Sequence, residues 1–291
     1  MEQQDEGRIF SPFPPSGFTM PFFYDSLSLF WVFYQVEAKL LEPYLSGTGL
    51  KPAIFAGQGL VSIDFQNYSA HLTNLISAVN EVEFNIHVYP VSRARETPAI
   101  SLHDYLIGQE QSKNIGGFRL HVPADNKIAV EAGIDVFGER KFLTTFKYSV
   151  PNNNDAAQKT WCYQVNDPNF AEPSGDDPFI YKLQADLSDL VPVMGNASAL
   201  PLYSLLPGGP DKPPGEGRLI QSRWDIFGLY QTYLDLPHDT RARITLEIGT
   251  SQTEMCKDIR AIIGANQPVA ARVFKSPPSA AENRAFYVNP E

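Results

Sequence analysis

Short apolar, β-rich runs recur along this chain, each bounded by Pro, Gly, Asn or Asp, and that punctuation restricts the fold more than any other feature. Leu27–Val36 (LSLFWVFYQV), Gly59–Phe65, Val82–Val91 and Phe118–Val122 come first; Lys141–Val150, Gln158–Val165, Phe179–Ala185, Leu200–Leu206, Arg218–Phe227, Ala242–Leu246, Val269–Phe274 and Ala285–Val288 follow. Little room remains for helices. Helical spacing is found in Glu37–Tyr44, in a turn around Leu72, Leu75 and Ile76, in a segment from Asp125 or Asn126 to Gly138, and over 254–263, where Met255, Ile259, Ile262 and Ile263 share one side. The pattern predicts an α+β, mainly antiparallel β protein, a curled sheet or barrel around a pocket. With no fixed-period repeat and no composition break, residues 1–291 are expected to form a single domain.

Charge narrows the partners. The net charge of -10 and the lack of any basic run argue against nucleic acid or an anionic membrane surface. Leu27–Val36 is too short to cross a bilayer, and residues 1–20 lack the basic start and apolar stretch of a signal peptide, so a cytoplasmic protein is expected. Cys162 and Cys256 are far apart and read as reduced thiols. The histidines at 71, 87, 103, 121 and 238 have no metal-ligand spacing, so no metal is expected. The glycine-rich stretch 207–217 lacks the Lys-Ser/Thr of a phosphate loop, and no nucleophile elbow or dinucleotide fingerprint occurs.

The most informative stretch for chemistry is Gly116–Lys141, GGFRLHVPADNKIAVEAGIDVFGERK. Phe118, Leu120 and Val122 alternate with Arg119 and His121 as in a half-buried strand; a turn at 123–126 and a short helix ending near Gly138 follow. Lys141 stands just past that helix, among Phe137, Phe142 and Phe146 and next to Arg140. A lysine so placed is a candidate nucleophile, because only the free amine attacks a carbonyl and both burial and a neighbouring cation depress an ammonium's pKa. Bringing it to about 6.5 would take roughly 4 units, about 5 kcal/mol.

This stretch resembles the signature of the acetoacetate decarboxylase-like superfamily. Gly116, Phe118, Asp125, Asn126, Ala129, Gly133, Asp135, Val136 and Lys141 fall on its pattern without a gap, which places Lys141 at the Schiff-base position. Ile134 stands where the decarboxylases have arginine, Arg140 where they have proline, and Phe142 where they have a second lysine. The resemblance implies a cone-like antiparallel β-barrel with surrounding sheet, a homo-oligomer, and a lyase that needs no cofactor and acts on a small keto acid or ketone. It also implies an acidic residue on a strand near the lysine, for which Glu83, sharing a face of Val82–Val91 with Asn85, is the candidate.

Lys141 and Glu83 are thus the expected catalytic residues, and Arg119, His121, Arg140 and Phe142 the expected substrate-binding ones. For Glu83, Arg119 and His121 the competing reading is a solvated strand face; for Asp135, Glu139 and Arg140 it is a local ion-pair cluster without chemistry. Three functions are compatible: decarboxylation of a β-keto acid through an imine on Lys141, condensation of a pyruvate-type enamine with an aldehyde followed by dehydration, and non-catalytic binding of a small ligand on the same fold.

Overall fold

The computed structural model describes residues 17–152, 159–170, 177–196, 198–213, 215–234, 236, 243–276 and 280–289. In chain order the strands are β1 (Phe22–Val36), β2 (Leu50–Pro52), β3 (Ile54–Phe55), β4 (Gln58–His71), β5 (Ile76–Pro90), β6 (Gly116–Ala124), β7 (Lys141–Leu143), β8 (Phe146–Ser149), β9 (Thr160–Asn166), β10 (Phe179–Asp186), β11 (Val193–Gly195), β12 (Leu200–Leu206), β13 (Arg218–Ile226), β14 (Tyr230–Tyr233), β15 (Ile244–Ile248), β16 (Pro268–Ser276), β17 (Ala280–Glu282) and β18 (Phe286–Tyr287). The α-helices among the described residues are α1 (Glu42–Leu45), α2 (Leu102–Leu106), α3 (Lys127–Phe137) and α4 (Glu254–Ile262). None is long and apolar enough to cross a membrane. Gln158 and Ala242, expected as strand starts, lie outside the described residues.

The α+β, mostly antiparallel class follows the punctuation of the chain. One sheet runs β11-β14-β16-β1-β17-β13-β12-β6-β5-β4-β3, with β2, β7 and β18 attached to β5, β6 and β13; the other runs β15-β10-β9-β8. Among the described residues only β6 pairs in parallel, with β12 and β7. The expected cone-like barrel needs correction. β1 is long enough to pair with β4 from Phe23 to Val36 on one edge, and with β17 and then β16 on the other. The sheet therefore branches at β1 and folds back on itself through the β1–β4 pairing, but its path keeps two free ends, at β11 and β3, rather than closing as one barrel.

Apolar residues fill two cores on opposite faces of this sheet. One lies under the smaller sheet, where Phe30 stacks on Trp161 at 5.1 Å and Phe65 on Tyr163 at 4.7 Å, and α4 with its C-cap residue Ile263 adds Met255, Ile259, Ile262 and Ile263 as the spacing predicts. The other lies under α3 and contains Phe22, Trp31, Phe137 and Trp224. Leu27–Val36 is almost entirely buried because β1 has a core on each side, which is why it reads as a continuous apolar run.

Local differences have simple causes. The turn at Leu72–Ile76 is the bend between β4 and β5 rather than helical, and leaves Leu75 and Ile76 exposed. Glu37–Tyr44 divides into a 3-10 turn, Ala38–Leu40, and α1, with Pro43 in the first turn of α1. The connection from β5 to β6 contains α2, capped by the Ser101 hydroxyl. β6 is buried along its whole length, not half-buried. Polar residues alternate with apolar ones along β4, β5 and β6, yet Asp64, Gln66, Glu81, Glu83, Asn85 and Arg119 are all buried. Their polar face looks into the molecule.

Candidate active site

Helix α3 and the turn after it set up the site. The Asn126 side chain caps the helix by accepting from Ile128 N–H at 2.9 Å and Ala129 N–H at 3.2 Å; Asp125 instead accepts from both the backbone and side chain of Asn80. At the other end Gly138 takes φ 63°, and the N–H groups of Gly138 and Glu139 return to the carbonyls of Ile134 and Gly133. A side chain at Gly138 would collide with the backbone of Leu205, so glycine is required by both conformation and space. The chain then enters β7 beside β6, with Val122 opposite Lys141, and residues 139 and 141 point to the same side.

That side lines a cavity walled by Phe22, Tyr24, Phe137 and Trp224. Lys141 Nζ lies 2.7 Å from Glu81 Oε2 and 3.3 Å from Glu139 Oε2. The Tyr68 hydroxyl donates to the same Glu81 oxygen at 2.8 Å. Arg119 is enclosed on three sides: its Nε lies 3.2 Å from Glu83, its Nη1 bonds Glu139, and its Nη2 donates to Glu282 at 2.9 Å. Ser222 also donates to Glu282, at 2.7 Å, and Asp64 accepts from the Glu83 N–H at 3.0 Å.

The electrostatics differ from the expected cation-beside-lysine arrangement. Burial by itself pushes the Lys141 ammonium down, but Glu139 and Glu81 outweigh it and hold Lys141 above the usual lysine range. Burial pushes Glu81 up, against the pull of Lys141, and pushes Glu282 up to about 7 against the pull of Arg119. Glu139 is held below the carboxylate range; its burial is opposed by Arg119 and Lys141. Lys141 is an ion-paired ammonium at rest, and Glu81 is the base nearest its proton.

Of the residues singled out from the sequence, Lys141, Glu83 and Arg119 converge on this cavity, whereas His121, Arg140 and Phe142 do not line it. The register of β5 against β6 shifts between Phe84 and Asn85, so Arg119 stands opposite Asn85 while His121 stands opposite Phe84. This bulge breaks the alternation that would have kept Arg119 and His121 on one face. His121 stacks on Phe84 and meets Asp258 of α4 at 2.6 Å, and Tyr44 donates to the same carboxylate. Burial holds His121 below the ordinary histidine range despite Asp258. Phe142 packs into the core under the smaller sheet, as alternation from Lys141 requires, and Arg140 faces a second cavity beside Ser204 and Lys212.

Three carboxylates were not singled out as functional from the sequence. Glu81 and Glu139 stand two positions from Glu83 and Lys141, so strand alternation points to them. Glu282 comes from 163 positions beyond Arg119, and no local signal marks it. Among the described residues, no group of three or more His, Cys, Asp or Glu is arranged to hold a metal, and Cys162 and Cys256 are free.

No family model and no curated sequence matches this chain. Solved structures do. An acetoacetate decarboxylase-like enzyme from Sphingomonas wittichii RW1 superposes with a TM-score of 0.59 at 12% identity, covering 93% of this chain and 94% of that one. Acetoacetate decarboxylase from Legionella pneumophila gives 0.57 at 12% identity, covering 96% and 92%. The enduracididine biosynthesis enzyme MppR, in complex with pyruvate, gives 0.58 at 13% identity, covering 94% and 89%. The expected resemblance is therefore present in three dimensions along nearly the whole chain, which carries the fold of the acetoacetate decarboxylase-like superfamily.

Proposed function

We propose that this protein is a cofactor-independent Schiff-base lyase in which Lys141 forms an imine with a small carbonyl substrate. The observation that carries the reading is the buried Lys141 Nζ, 2.7 Å from Glu81 inside a cavity. Moving a proton from Nζ to Glu81 turns an ion pair into a neutral amine and acid, so the nucleophile appears without adding net charge to the buried site. The amine adds to the carbonyl, Glu81 returns the proton as water leaves, and the iminium takes the place of the ammonium between Glu81 and Glu139. The electrons of a C–C bond breaking at the adjacent carbon can then pass to the iminium nitrogen to leave an enamine, or an enamine formed by loss of a proton from that carbon can attack a second carbonyl. Glu83 serves by holding Arg119 rather than by touching the amine.

Decarboxylation and aldol-type chemistry are two outcomes of this one imine. The reading includes a single unit spanning residues 1–291, working as a cytoplasmic homo-oligomer. Borohydride trapping with intact-mass detection tests it. A reduced adduct that maps to Lys141 and is absent from Lys141→Ala supports the imine; no adduct with any ketone, aldehyde or keto acid overturns it in favour of a binding protein on the same fold.

A further inference from the structure

Charge around Lys141 does not balance. Four buried carboxylates, Glu81, Glu83, Glu139 and Glu282, face two cations, Lys141 and Arg119, and among the described residues no other cation lines the cavity. With every group ionised, the cluster carries two negative charges in excess, and Asp64 stands behind Glu83 as a further buried carboxyl. Uncompensated charge in a site that water does not solvate is removed by taking up protons or by admitting a counterion.

We infer that the substrate is a carbonyl compound bearing a cationic group, a primary ammonium or a guanidinium, where a keto acid would bear its carboxylate. This rests on the imine reading above and names the substrate class for it. A carboxylate would enter a cluster already in excess of negative charge and find both cations occupied; a cation would neutralise that excess beside the aromatic rings of Tyr24 and Trp224, which line the cavity. The Trp224 indole N–H is buried without a partner and is available to a carbonyl or hydroxyl oxygen of the same molecule.

Proton linkage gives the inference a signature. Glu282 faces Arg119 from β6, Glu83 from β5, Glu139, Tyr24 from β1 and the Ser222 hydroxyl from β13, and burial pushes its carboxyl up to about 7. A bound cation would expel protons from it, and a bound anion would draw them in.

The test uses matched methyl ketones that share an acetonyl unit, aminoacetone against acetoacetate, in borohydride trapping. It adds their imine-incompetent alcohols, 1-amino-2-propanol against 3-hydroxybutyrate, in calorimetry at pH 7 in buffers of different ionisation enthalpy. The expected result is at least tenfold preference for the amine in both arms, with proton release on binding 1-amino-2-propanol, and a narrower preference in Glu282→Gln. Equal or better trapping of acetoacetate overturns the inference and leaves the imine reading standing. Absence of any adduct, with 1-amino-2-propanol still bound and protons released, removes the imine reading and supports the charge preference. If neither arm favours the amine, the inference is wrong.

Discussion

Gly133 offers a test of the site that does not touch its chemistry. It lies within α3 on the face toward the cavity, and a Cβ built there would come about 1 Å inside ordinary van der Waals distance of both the Lys141 Cδ and a Glu139 carboxylate oxygen. Neither atom can yield freely. The Lys141 stem is held at its tip by Glu81, and Glu139 is held by Arg119. Gly133→Ala should therefore displace the amine by a large part of that 1 Å. The helix itself gains up to about 1 kcal/mol from exchanging glycine for alanine, which offsets part of the cost of the misplaced pairs. A modestly lowered melting temperature is expected together with a loss on the order of 10²-fold in imine trapping, the usual consequence of misplacing a reacting group by an ångström. Thermal denaturation and the rate of borohydride-trapped adduct formation read the two effects separately, with the exposed α3 substitution Glu131→Ala as control. A folded Gly133→Ala protein that traps at the wild-type rate would refute the reasoning, because Lys141 would then not depend on its packing against α3.

Other expectations follow from the same geometry. Glu81→Gln removes a carboxylate that holds Lys141 up, so the rise of trapping rate with pH should move to lower pH by about one unit or more; an unmoved profile would mean that Glu81 is not a principal counterion. Asp258→Ala leaves His121 and Tyr44 without their partner on the opposite side of the sheet, and should cost roughly 1–3 kcal/mol in chemical denaturation while trapping at Lys141 persists. Loss of trapping in that variant would show that the two clusters are coupled. His87, bonded to Ser62 and Tyr105, is pushed by burial down to about 3, whereas the unfolded chain takes up its proton near 6.5. The unfolded state then binds the extra proton between these values, so stability present above pH 6.5 is lost as pH falls, at about 1.4 kcal/mol per unit. The difference between His87→Gln and wild type should swing toward the variant from pH 6.5 to 4, and a pH-independent difference would contradict this.

Much of the framework is legible in the chain because it depends on neighbours in sequence. The alternation of β4 and β5, the fully apolar run of β1, the N-cap at Asn126, the glycine that ends α3 and the buried side of α4 all arise from local periodicity and local hydrogen bonding. Lys141 is legible too, since its spacing from the end of α3 is a local quantity. What the residues around it do is not. The polar faces of β4, β5 and β6 look like solvent faces to any reading by periodicity, and only the folding back of the sheet through the β1–β4 pairing makes them an interior. A single register shift on β6 sends Arg119 and His121 to opposite cores, and no residue in the strand announces it. Above all, the chain determines that a lysine stands in apolar company, but the carboxylates that surround it come from β5, the end of α3 and β17. Coulombic fields act through space, so the sign of the shift on Lys141, upward rather than downward, is decided by which distant strands meet there.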